Sequence, residues 1–122
     1  MVTLGVDAHK RTHTVVAVDG NGRRLGLTTV KAVESGHLQA LKWSQHFGDE
    51  RVWAVEDCRH LNRRLITDLL RAGERVVCVP PKLMAGARRS SRERGKSDPI
   101  DAEAVARAYL REPGLRVVNQ KD

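Results

Sequence analysis

Apolar residues in this chain fall into short blocks of two periods, separated by polar or glycine-containing breaks. VTLGVD (2–7) and THTVVAVD (12–19) are compact β-branched runs that each end in an aspartate, and both read as strands. GNG at 20–22 is a strong turn signal leading into RRLGLTTVK (23–31), so an antiparallel hairpin is predicted there. Ser35 is placed to cap a helix running to His46, with Leu38 and Leu41 on its inner face and Gly48 as its stop. RVWAVED (51–57) predicts a fourth strand. Over 60–72, Leu61, Leu65 and Leu69 recur at a spacing of four beside Ile66 and Leu70, a helical stripe closed by Gly73. RVVCV (75–79) is a fifth strand, stopped by Pro80 and Pro81.

A short helix is expected at 82–87, then a polar, basic loop, RRSSRERGKS (88–97), and a helix over 98–111. Residues 112–122 read as a tail or the start of a linker, which leaves 1–111 as one domain. Three strands joined by hairpins and followed by αβαβ imply a mixed five-stranded sheet in an α/β fold, with helices on both faces and a C-terminal helix. The ribonuclease H-like fold has this order of elements.

Composition narrows the function. Hydrophobic residues make up 40% and charged residues 30%, which suits a globular fold and excludes a disordered chain. No apolar run approaches the ~20 residues of a membrane span, and the N-terminus lacks the pattern of a signal peptide. A cytoplasmic protein without a membrane partner is expected. Cys58 and Cys78 lie in no CxxC motif and are expected to be small buried hydrophobes rather than a disulfide or metal pair. The net charge of +7 favours a polyanionic partner such as nucleic acid. Aromatic residues are only 3% of the chain, so contact through phosphates is favoured over base stacking.

Four acids stand out. Asp7 and Glu56 each close an apolar strand, and in open α/β sheets sites lie at the carboxyl ends of parallel strands. In KSDPIDAEAVARAYL (96–110), Asp98 and Asp101 are three residues apart, about 300° of helical rotation, on the side that also carries Ile100, Val105 and Tyr109. Four carboxylates focused on one point repel one another, and all-oxygen ligands suit Mg²⁺ or Mn²⁺. Two such ions support phosphodiester chemistry. The plainer readings are an N-cap for Asp98, helix-dipole compensation for Asp101, turn chemistry for Asp7, and Asp57 in place of Glu56. His9 and His13 are four apart, but across a turn, which disfavours a zinc pair. Lys10 lies near Asp7, and Arg88, Arg89, Arg92, Arg94 and Lys96 lead directly into the acidic helix. These six are the candidate phosphate contacts; Arg63, Arg64 and Arg71 read as solvated surface.

Through GVDAHK (5–10), AVEDC (54–58) and KSDPIDAEAVARAYL (96–110), in order over nearly the whole chain, the sequence resembles the N-terminal domain of insertion-sequence-110 transposases, the bridge-RNA-guided DEDD recombinases. The resemblance implies a RuvC-like fold whose catalytic, Mg²⁺-binding tetrad is Asp7, Glu56, Asp98 and Asp101. It also implies DNA strand exchange during insertion-sequence movement, in a homo-oligomer assembled on guide RNA and DNA. In that family a second domain carries a nucleophilic serine. Ser35, Ser44, Ser90, Ser91 and Ser97 lie in cap, helix or loop contexts and none matches that role, so the chain is expected to be part of a longer protein and incompetent for recombination alone.

Other readings stay open at this level. A standalone RuvC-like junction nuclease would use the same tetrad. A binding or assembly module would carry the acids structurally, and an actin-like half-domain would use the first hairpin for a nucleotide phosphate.

Overall fold

The structure, a computed structural model, describes residues 1–56, 61–84, 98–112 and 114–118. Six strands form one mixed sheet: β1 (Val2–Ala8), β2 (Thr12–Val18), β3 (Arg24–Lys31), β4 (Arg51–Glu56), β5 (Val76–Val79) and β6 (Val117–Val118). Their order across the sheet is β3-β2-β1-β4-β5-β6. β1 pairs antiparallel with β2 and parallel with β4, β4 pairs parallel with β5, and β6 runs antiparallel to β5. Among the described residues three α-helices flank the sheet: α1 (Glu34–Ser44), α2 (Arg63–Arg71) and α3 (Asp98–Arg111).

Period-two alternation sorts the strand residues between two cores. Leu4, Val6, Val15, Trp53 and Val55 face α1 and α2, where they meet Ala40, Leu65 and Leu69. Val52, Ala54, Val77 and Val79 face the other way, against Val105, Ala108 and Tyr109 of α3. Val16 and Val18 of β2 complete that second layer with Ala102 and Ala106. β4 is apolar at every position from Val52 to Ala54 and on to Val55 because both its faces are covered, as expected for an interior parallel strand.

Several elements differ from the sequence expectation. The sheet has six strands rather than five, because Val117 and Val118, expected in a tail, pair with Val77 and Val76. α1 begins at Glu34 after an extended Val33, and no side chain caps it, so Ser35 is not the cap. Its buried face is Gly36, His37, Ala40 and Ser44, while Leu38 is 51% exposed. The reason is close packing: Gly36 sits against the Lys31 carbonyl, leaving no room for a larger residue there and turning Leu38 outward.

α2 starts at Arg63, so Leu61 falls before it and is exposed, whereas Leu65, Ile66 and Leu69 are buried as expected. Gly73, at φ +83°, closes this helix with the Glu74 N–H on the Leu69 carbonyl and its own N–H on Leu70, a Schellman stop. Of the short helix expected at 82–87, the described part falls in a 3-10 helix over Pro81–Met84; residues 85–97, including the expected basic loop, lie outside the described residues. Cys78 is half-buried on β5 and disulfide-bonded, contrary to the expected free thiol. It stands in register with Val55 on β4, three residues before Cys58, the chain's other cysteine, which lies outside the described residues.

Candidate functional site

The register of the two central parallel strands brings two acids together. Val6 pairs with Val55, and the next positions along β1 and β4 are Asp7 and Glu56. Neighbouring strands lie about 4.8 Å apart, so the two residues are adjacent at the carboxyl edge of the sheet. Parity fixes their side. Gly5, two residues before Asp7, faces α3, and Val52 and Ala54, which alternate with Glu56, pack on α3 as well. Both carboxylates therefore belong to the α3 face.

α3 is aimed at that edge. A Cβ on Gly5 would lie 2.0 Å from the Ala102 carbonyl oxygen and 2.8 Å from the Ala106 nitrogen, so the helix backbone rests directly on β1. Further along α3, Arg107 Nε and Nη2 donate to the Gly22 carbonyl at 3.2 and 3.1 Å, in the β2–β3 turn at the opposite end of the sheet. Arg24 Nε donates to Glu103 Oε1 at 3.3 Å and fastens the same side. The helix thus runs antiparallel to β1, with its amino end over the carboxyl ends of β1 and β4. Asp101, half-buried, directly precedes Ala102, and Asp98 is the first helical residue; the Asp98 side chain is not among those described. The positive end of the helix dipole also points toward the acids, which eases their mutual repulsion.

The expected apolar face of this helix shifts slightly. Val105 and Tyr109 are buried as anticipated, together with Ala108, but Ala102 and Ala106 form the closest contact, and Ile100 is only half-buried. Small residues are required where a helix backbone meets a glycine.

His9 is the residue that sequence reasoning missed. Its Nε2 lies 2.8 Å from Asp7 Oδ2, a hydrogen bond in which the ring N–H donates to the carboxylate. The signal was present in the D-A-H spacing, since residues two apart in an extended segment share a side. His13, in contrast, is buried on the α1/α2 side and stacks on His37 with centroids 5.5 Å apart. Burial, then the neighbouring His37 and His9, lower its pKa to about 4. His9 and His13 therefore point to opposite sides of the sheet and cannot share a zinc ion.

Among the described residues, no group of three or more histidine, cysteine or acidic side chains is arranged to hold a metal ion. The structure brings Asp7 and Glu56 together by register, and α3, with Asp101 in its first turn, runs with its amino end toward the same end of the sheet. The donor chemistry is carboxylate oxygen throughout, which fits a hard divalent cation and not zinc. Lys10 is exposed in the β1–β2 turn beside these acids, with Arg11 next to it. Arg88, Arg89, Arg92, Arg94 and Lys96 lie outside the described residues. No helix among the described residues is long and apolar enough to cross a membrane.

Comparison with known proteins agrees with this architecture. A family model described as a transposase, of the DEDD type of insertion sequence IS110, matches residues 4–122. The chain is 30% identical over 105 residues to "Insertion element IS116 uncharacterized 44.8 kDa protein" of Streptomyces clavuligerus, covering 86% of this chain and 26% of that protein. It is 30% identical over 107 residues to "Insertion element IS900 uncharacterized 42 kDa protein" of Mycobacterium paratuberculosis, covering 86% and 27%. The chain thus spans about a quarter of the length of these relatives. Among solved structures it is similar to Thermus thermophilus RuvC, with a TM-score of 0.68 at 20% identity over 97% of this chain and all of the other. A second structure, T. thermophilus RuvC in complex with a Holliday junction substrate, matches with a TM-score of 0.68 at 19% identity over 97% of this chain and 99% of that one. The fold is RuvC-like, within the ribonuclease H-like class.

Proposed function

This chain belongs to the IS110-type DEDD transposase family, and from that premise we propose that it is the metal-dependent, nuclease-type catalytic domain of a DNA transposase. It acts on DNA phosphodiesters during insertion-sequence movement, guided by an RNA, within a homo-oligomer of a longer protein in the cytoplasm. The observation that carries this reading is the placement of the α3 amino end over Asp7 and Glu56, fixed by the contact of Gly5 with Ala102.

In this reading Asp7, Glu56, Asp98 and Asp101 would hold two Mg²⁺ or Mn²⁺ ions. When bound, such ions offset the charge of a scissile phosphate and of its leaving oxygen. The chain's own residues do the rest. The strand ends hold Asp7 and Glu56 at a fixed spacing, α3 closes the site from above, and Lys10 lies where a phosphate backbone would enter. Arg88, Arg89, Arg92, Arg94 and Lys96 would continue that contact along DNA or RNA, through phosphate charge and without reading base sequence. The serine step of strand exchange would fall to a second domain, so this span alone is expected not to recombine DNA.

The test is calorimetric titration of Mn²⁺ into the wild type and into the Asp7→Asn, Asp101→Asn double variant. Saturable binding that the double variant loses is the expected result. Equal binding by both proteins, or none by either, would refute the reading.

A further inference from the structure

Asp7 is held by a neighbour that the proposed chemistry does not require. His9 Nε2 donates to Asp7 Oδ2 at 2.8 Å, from a ring that is 46% exposed onto a carboxylate that is 17% exposed. The backbone bearing that ring is itself tied down. Ala8, before it, pairs with His13 at the end of β1, and the His9 N–H donates to the Thr12 carbonyl at 2.9 Å. The imidazole is therefore presented onto Asp7 from a closed hairpin turn.

The consequence is one of denticity. A carboxylate with both oxygens on a cation takes up a wide wedge of the coordination sphere. Ca²⁺, with six to eight ligands in flexible geometry, accepts that arrangement readily; Mg²⁺ demands a near-ideal octahedron and usually takes one oxygen per carboxylate. With one lone pair of Oδ2 engaged by His9, coordination of a cation by Asp7 would favour one oxygen over both. We propose that His9 is a positioning residue that holds the Asp7 carboxylate in a one-oxygen arrangement and thereby makes the site prefer Mg²⁺ and Mn²⁺ over Ca²⁺. This rests on the metal-binding reading given above for the same site. Hydrogen bonds to metal ligands from neighbouring side chains commonly set both ligand orientation and affinity.

The test measures Mg²⁺, Mn²⁺ and Ca²⁺ affinity by calorimetry on the wild type and on His9→Ala, His9→Gln and Asp7→Asn. His9 is half-exposed, so its removal leaves the core intact, and circular dichroism checks that the variants fold. His9→Ala is expected to weaken Mg²⁺ and Mn²⁺ about tenfold while Ca²⁺ changes less, so the preference between the ions falls. Glutamine, whose amide N–H can reach the same oxygen, is expected to restore most of that preference. An unchanged Mg²⁺-to-Ca²⁺ preference in His9→Ala, with Asp7→Asn losing both ions, would overturn the role of His9 and leave the metal site standing. An equal loss for all three ions would also overturn it, because His9 would then act on affinity and not on selection. Metal binding unaffected by Asp7→Asn, or absent from the wild type, would remove the metal-site reading and this inference with it.

Discussion

The distance between α3 and the sheet rests on one missing methyl group, and Gly5→Ala tests it. The new Cβ would be placed 2.0 Å from the Ala102 oxygen, 2.8 Å from the Ala106 nitrogen and 2.9 Å from the Ala106 Cβ. None of these can yield by rotating a side chain. β1 cannot retreat either, since it is hydrogen-bonded to β2 on one edge and β4 on the other. The helix must lift by more than an ångström, loosening its contacts with Val16, Val18, Val52 and Ala54. Overpacking of this kind costs ~3 kcal/mol, the upper part of the usual range. For 122 residues the unfolding entropy at the midpoint is about 0.26 kcal/mol/K, so the expected fall in Tm is ~12 °C. On the proposed metal-site reading, lifting the helix also shifts Asp101 relative to Asp7, and a displacement near 1 Å is worth about a hundredfold in a positioned reaction. The assay is thermal unfolding followed by circular dichroism, with Gly20→Ala as the control, because a Cβ there meets nothing within 4 Å. A Gly5→Ala protein that melts within ~2 °C of the control would refute the reasoning, since measurement error at one degree or so corresponds to well under 1 kcal/mol.

Three further outcomes are expected. Glu74 accepts from Arg51 Nε and Nη2 at 2.7 and 2.8 Å and from Trp53 Nε1 at 2.7 Å; Glu74→Ala strands a largely buried guanidinium and an indole N–H, at a cost of about 3 kcal/mol, read as a lower urea midpoint. His13 has its pKa lowered to about 4 from 6.5, so between those values the unfolded chain takes up a proton that the folded chain refuses. Stability therefore falls as pH drops through that window, by up to ~1.4 kcal/mol per unit, and His13→Asn should flatten the slope of urea midpoint against pH; an unchanged slope would assign the acid sensitivity to other groups. Leu69→Ala should cost ~3 kcal/mol, because the side chain is fully buried, whereas Leu61→Ala, at a site 54% exposed, should change the urea midpoint little.

How much was legible follows from the range of the forces involved. Local chemistry wrote the strand runs of β1, β2 and β4, the turn at 20–22, the Gly73 stop of α2 and the 98–111 helix, and each was readable because a few adjacent residues decide it. The acids were legible for the same reason: Asp7 and Glu56 close apolar runs, and Asp98 and Asp101 open a helix. Failures occurred where a distant contact overruled a local preference. Leu38 and Leu61 are apolar but exposed, because the Gly36–Lys31 contact sets the rotation of α1 and the start of α2 falls after Leu61. Val117 and Val118 look like tail until β5 offers them an edge. A zinc pair of His9 and His13 is disfavoured by their spacing across a turn, and the sheet places the two rings on opposite sides, but the contact of His9 with Asp7 was not read from the sequence. Sequence by itself determined which residues are acids, five of the six strands, the helical segments after them, and the family resemblance. Tertiary structure alone decided that Asp7 and Glu56 are neighbours, that α3 packs on Gly5 and runs antiparallel to β1, and that His9 donates to Asp7. Those are relations between segments up to about a hundred residues apart, and pairing register and helix packing, which have no local code, fix them.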